Sequence, residues 1–183
     1  MQELNVISDE IFTVSNFLTE SECNQFIDAS EGIGYSDAPI NSAFGAVMAP
    51  EIRNNQRVIH DDVPLANSLW PRAENYILKW REKWTPCGLN ERFRFYRYDV
   101  GQQFEWHYDG AYERANGERS WMTVLLYLNE GFEGGETSFD GIDVVPDTGL
   151  ALFFVHQIRH KGQPVIDGRK YVLRTDVMYR FEE

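Results

Sequence analysis

Cysteine is almost absent: Cys23 and Cys87 are the only two in 183 residues. They are far apart and outside any C-x-x-C pattern, which excludes a disulfide framework and a thiolate zinc site. Positive charge is also scarce. Seventeen Lys and Arg stand against 29 Asp and Glu, a formal net charge of -12. Such a field repels phosphate backbones and anionic membrane surfaces, so neither nucleic acid nor membrane is expected as a partner. No apolar run approaches the length of a membrane span, and the opening MQELNVISDEIF has no basic region followed by an apolar stretch. These absences together lead to the expectation of a reducing, cytoplasmic compartment. No repeat, low-complexity tract or linker divides the chain, so one domain over residues 1–183 is expected, long enough to bury a core without staples.

What is present is aromatic and apolar: 14% aromatic and 43% hydrophobic residues, a composition that favours strands. Residues 1–90 read as supporting helices, strands and a loop. Thr19-x-x-Glu22 is a capping box ahead of Cys23, Phe26 and Ile27. Residues 33–55 carry glycine, proline and small residues without a period, and read as a long lid loop. Asp62 caps a helix through Leu65 and Leu69, and Pro71 suits the first turn of a second helix through Ile77 and Trp80. From Glu91 onward the runs ERFRFYRY, QFEWHY, SWMTVLLYL, ETSF, GLALFFVH and KYVLRTDVMYR follow one another between turn residues. No helix-length period interrupts them. The fold class is therefore mainly β with flanking helices, an antiparallel jelly roll, with residues 91–183 as the catalytic core.

Within WHYDG, His107 and Asp109 are two residues apart on an extended segment and project from one face toward one point. A third ligand comes from His160 in IRHKGQPV, or from His156 nearby; His160 is preferred because it follows the turn and precedes G-x-P-V. Two imidazoles and a carboxylate form the facial triad that favours non-haem iron(II) in oxygenases. His60, between Ile59 and two carboxylates, reads as a solvated surface histidine.

An electron-donating 2-oxoacid with a distal carboxylate needs a cation deep in the pocket. Lys170 lies ten residues beyond His160, and Arg174 projects from the same strand face by period two. Arg169 adjoins Lys170, so the anchor lies among Lys170, Arg169 and Arg174. Tyr127 and Tyr98 can donate hydroxyl hydrogen bonds to the same carboxylate, or serve as core aromatics. Arg57 either faces the pocket and contacts substrate or pairs with Asp61 or Asp62.

The segments YDVGQQFEWHYDG, LLYLNEGFEGGETSF and HKGQPVIDGRKYVLRTDV resemble, in order and spacing, the prolyl 4-hydroxylase branch of the 2-oxoglutarate oxygenases over residues 90–180. The resemblance implies a double-stranded β-helix holding Fe(2+) at His107, Asp109 and His160, with Lys170 binding the distal carboxylate of 2-oxoglutarate and Tyr127 and Tyr98 assisting. It also implies O2 as cosubstrate, ascorbate as an accessory reductant, and hydroxylation of a C–H bond of a prolyl residue in a protein or peptide. Alternatives are hydroxylation of a free amino acid or small metabolite, or a non-catalytic metal-binding jelly roll. A nucleic-acid demethylase shares the triad but not the charge.

Overall fold

Alternation in the second half sorts side chains onto two faces of extended strands. Phe93 and Phe95, Val124 and Leu126, and Leu173 join one buried cluster, while Tyr96 and Tyr98, Tyr127, and Val172 join the other. The computed structural model describes residues 1–42, 45–77 and 83–182. Among these, every strand pairing is antiparallel. The larger sheet runs in the order Glu3–Ser8, Ile11–Ser15, Ala151–Val155, Arg119–Tyr127, Lys170–Phe181, Arg92–Tyr98, Gln56–Asp61 and Ser36–Asp37. A smaller sheet runs Ile142–Val144, Thr137–Phe139, His160–Gly162 and Phe104–His107. This is the expected mainly β, jelly-roll architecture.

Two helices cover the face opposite the smaller sheet. Helix α1 (Glu20–Ile33) starts at the capping box: Glu22 N–H donates to Thr19 Oγ1 at 3.2 Å, and Thr19 N–H donates to Glu22 Oε2 at 2.8 Å. Arg72 of helix α2 (Val63–Ala73) donates to both oxygens of Glu22, at 2.7 and 3.1 Å, and ties the helices together. The Arg72 guanidinium holds the Glu22 carboxyl down at about 2. Asp62 caps α2 through Leu65 N–H at 2.8 Å, as its position suggests.

Two features differ from expectation, and one strand forms where no element was read. Pro71 does not begin a new helix but sits inside the last turn of α2, followed by a 3-10 turn at Glu74–Tyr76. Near a helix end the missing N–H and the ring cost little; Trp80 lies outside the described residues. Trp84–Leu89 is a strand although WTPCGL has the proline and glycine of a turn. Among the described residues it pairs only with the far end of Lys170–Phe181, the edge position where proline is tolerated. Finally, much of 33–55 is not a free loop. Ile40–Ser42 and Gly45–Val47 form a hairpin, and residues 49–55 are stitched to the neighbouring strand. Glu105 N–H donates to Ile52 O at 2.7 Å and Gln103 N–H to Asn54 Oδ1 at 2.7 Å.

The helix-side core centres on Phe153, fully buried, stacked on Phe12 at 4.7 Å and edge-on to Phe17 at 6.0 Å. Phe153→Ala is expected to cost about 3–5 kcal/mol, read as a lower urea midpoint with an unchanged slope. A loss below about 1 kcal/mol would show that this cluster does not hold the sheet to its helices.

Candidate metal centre and cosubstrate pocket

The pairing of the smaller sheet brings the two outer ligand candidates together. His107 ends Phe104–His107 and His160 begins His160–Gly162, and these two residues are direct cross-strand partners. Their rings lie 4.2 Å apart. Asp109, just past the end of the strand, places Oδ1 3.9 Å from His107 Nε2 and Oδ2 3.6 Å from His160 Nε2. Ligand atoms of all three residues lie within 4.8 Å of one another.

Local bonds set the chemistry of each donor. His107 Nδ1 contacts Glu105 O at 2.7 Å and His160 Nδ1 contacts Ile158 O at 3.0 Å, each a carbonyl two residues back. A carbonyl only accepts, so the proton sits on Nδ1 and the Nε2 lone pair faces Asp109. Burial drives His107 down to about 3 and lowers His160, so both imidazoles are neutral and competent to ligate. Burial alone opposes ionisation of Asp109, but the Arg174 guanidinium, 2.7 Å away, outweighs it and holds the carboxyl far below its usual range. The donor set thus has the charge and atoms of a 2-His-1-carboxylate site, and it fits a divalent iron.

His156 does not enter this cluster. It is buried behind it, with Nδ1 3.0 Å from Thr123 Oγ1 and Nε2 2.9 Å from Ser120 Oγ. Thr123 in turn donates to Asp109 Oδ2 at 2.5 Å. The chain Ser120, His156, Thr123, Asp109 therefore orients the carboxylate from outside, the kind of support that metal-site ligands commonly have. Nothing in the spacing of SWMTVLLYL marks Thr123 for this task, because it depends on a cross-strand register with Phe154 and Asp176.

A pocket opens from the triad between the two sheets. Tyr98, Tyr127, Thr137, Lys170 and Val172 line it together with His107, Asp109 and His160. Arg174 and Lys170 mark its two ends on one strand, four residues or roughly 13 Å apart, with Val172 between. Arg174 spends its guanidinium on Asp109 at 2.7 Å and Asp176 at 3.2 Å. Arg169 lies outside, paired with Asp99 at 2.6 Å. Lys170 is different: it is 3% exposed, and no carboxylate pairs with it among the described residues. Its Nζ donates to Gly135 O at 2.5 Å and lies 5.2 Å from the Tyr98 ring and 5.4 Å from that of Tyr127. Burial pushes this amine down to about 7. Gly135, in G-G-E-T, has φ +71, and a Cβ there would sit 3.1 Å from Lys170 Cδ. The Tyr127 hydroxyl donates to Thr137 Oγ1 at 2.7 Å.

Arg57 lies on the wall of an outer cleft shared with His107 and Asp109. It pairs with neither candidate carboxylate, since Asp61 takes Arg92 at 2.9 Å and Asp62 caps α2. Arg53, Arg94 and Trp106 share that wall; sequence reading passed over Arg53 because it lies in a stretch that looks like loop.

The model of the 2OG-Fe(II) oxygenase superfamily matches residues 93–175. The chain is 28% identical to prolyl 4-hydroxylase 13 of Arabidopsis thaliana over 88% of its own length and 68% of that protein's. It is 27% identical to the probable prolyl 4-hydroxylase 8 of the same plant, over 92% and 69%. Among solved structures it is similar to a viral collagen prolyl hydroxylase of Paramecium bursaria Chlorella virus-1 in complex with 2-oxoglutarate, with TM-score 0.62, 21% identity, and 93% and 97% of the two chains covered. It is also similar to a Trichoplax adhaerens prolyl hydroxylase in complex with a hypoxia-inducible-factor peptide, with TM-score 0.69, 17% identity, and 93% and 84% covered. The chain spans about two thirds of the length of the curated relatives. With this match laid over the strands that carry the triad, the chain is similar in sequence to the 2OG-Fe(II) oxygenases and in fold to those of the prolyl 4-hydroxylase type.

Proposed function

We propose that the protein hydroxylates a prolyl residue of a protein or peptide, with iron(II) held by His107, Asp109 and His160 and 2-oxoglutarate anchored by Lys170. One observation carries this reading: a buried lysine without a carboxylate partner and a 2-His-1-carboxylate cluster occupy the two ends of one pocket. A buried ammonium is costly unless an anion meets it, and a dicarboxylic cosubstrate supplies one. When bound, the metal and 2-oxoglutarate use O2 to place one oxygen atom in a substrate C–H bond, while the oxoacid becomes succinate and carbon dioxide.

The chain's own part is geometry. The neutral imidazoles and the ionised Asp109 would hold the metal on one side; Lys170 would receive the distal carboxylate with the hydroxyl of Tyr98, and with that of Tyr127 once its proton turns from Thr137. Thr123 and Arg174 fix Asp109 beside the outer cleft, where Arg57 would meet substrate. Residues 1–183 act as one domain in this reading. The free thiols of Cys23 and Cys87 suit a reducing, cytoplasmic compartment.

Incubation of the iron(II)-loaded protein with 2-oxoglutarate and proline-containing peptides should yield succinate in step with peptides heavier by one oxygen on proline. Oxygen on a free amino acid alone, or no oxygenated product, would contradict the prolyl reading.

Lys170 also gives a pH dependence. Its amine is depressed to about 7 by burial, whereas a bound carboxylate favours the charged form. Binding is therefore strongest below about pH 7 and weakens above it, by up to roughly tenfold per unit, as a proton must be taken up first. Anaerobic 2-oxoglutarate titrations from about pH 6 to about pH 9 should show this rise in Kd, and Lys170→Arg should flatten it, because arginine stays charged. An equal slope in both proteins would place the anchor elsewhere.

A further inference from the structure

The outer cleft is lined with cation on a chain whose net charge is -12. Arg53, Arg57, Arg92, Arg94 and Arg174 all contribute to its wall, next to His107 and Asp109. Three of the five are already compensated: Arg92 by Asp61 at 2.9 Å, Arg94 by Asp176 at 3.3 Å, and Arg174 by Asp109 at 2.7 Å. Arg53 and Arg57 have no carboxylate partner among the described residues.

Arg53 is 4% exposed, with its guanidinium 4.4 Å from the Phe104 ring centre and 4.6 Å from that of Tyr96. Its Nε donates to Asn55 Oδ1 at 2.7 Å, but its Nη2 is buried with no partner. Arg57 is half-buried opposite Tyr96 and makes no side-chain hydrogen bond among the described residues. Burial first, and then the charges of Arg53, Arg94 and Arg174, press against its own charge. In a chain with 29 acidic residues, two desolvated guanidinium groups without a carboxylate, beside the metal triad, are an arrangement that an incoming anion would complete. A planar carboxylate matches their fork geometry. Trp106, Tyr108 and Tyr112 on the same wall give flat apolar surface for the rest of the substrate.

We infer that the substrate brings a carboxylate to Arg53 and Arg57, so that the residue offered to the triad lies beside an acidic group. Two sources share this chemistry: the side chain of a flanking Asp or Glu, and the α-carboxylate of a chain end. A polyphosphate is disfavoured, because a net charge of -12 repels an extended anion. The inference rests on the prolyl reading for the target residue, but not for the carboxylate.

The test measures anaerobic binding of labelled peptides to the iron(II)- and 2-oxoglutarate-loaded protein by fluorescence anisotropy. Three proline peptides of equal length are used: one amidated with Glu beside proline, one amidated with Gln there, and one with Gln and a free carboxylate on a terminal proline. At least one carboxylate peptide should bind roughly tenfold or more tighter than the amidated Gln peptide. Which of the two gains identifies the source. The advantage should fall below about twofold in Arg57→Gln and be partly kept in Arg57→Lys, with the melting temperature preserved. Equal binding of all three peptides, an advantage that survives Arg57→Gln, or tighter binding of oligothymidylate than of either carboxylate peptide would overturn the inference. A fourth peptide, with alanine for proline beside Glu, separates the two readings. If it shows the same Arg57-dependent advantage while no proline peptide gains oxygen, the carboxylate site stands and the prolyl target falls.

Discussion

The carboxylate of Asp109 sits where four demands meet. It faces both histidine Nε2 atoms, accepts from Thr123, and pairs with Arg174. Apart from His107, two residues before it, none of these groups is near Asp109 in sequence. They meet because His107 and His160 are opposed in the smaller sheet, while Thr123 and Asp176 are opposed in the larger one. A slip of one residue in either register would turn the ligands or their supports to the other face. The candidate metal centre therefore depends on strand pairing across the two sheets more than on any local motif.

Charge placement follows from the same geometry. Four alternating residues of one strand, Lys170, Val172, Arg174 and Asp176, look into the space between the sheets. Of the three charged ones, Arg174 and Asp176 are paired by protein and only Lys170 is left to an outside anion. The pattern repeats in the outer cleft, where Arg94 and Arg92 are neutralised and Arg53 and Arg57 are not. Lys170 in the pocket and Arg53 and Arg57 in the outer cleft thus stand without a carboxylate partner among the described residues, at the two places proposed to receive ligands.

Much of this was legible beforehand. The period of two in KYVLRTDVMYR put Lys170 and Arg174 on one face, and H-x-D on an extended segment put His107 and Asp109 together. The capping box at Thr19 and the cap at Asp62 are local signals and appear as read. What sequence did not show depends on tertiary pairing. The support from His156 through Thr123 needs the register of two strands, and the strand at Trp84–Leu89 forms despite its turn residues because it lies on an edge. Arg53 was hidden because the backbone bonds that make residues 49–55 part of the site come from Gln103 and Glu105.

The central claim is that one metal, held by His107, Asp109 and His160, binds 2-oxoglutarate directly. Adding 2-oxoglutarate to the iron(II) protein without oxygen and recording the visible spectrum tests it. A charge-transfer band should appear in wild type and in His156→Gln, and be lost in His160→Ala and Asp109→Ala. No band in wild type, or a band that survives His160→Ala but vanishes with His156→Gln, would contradict the account.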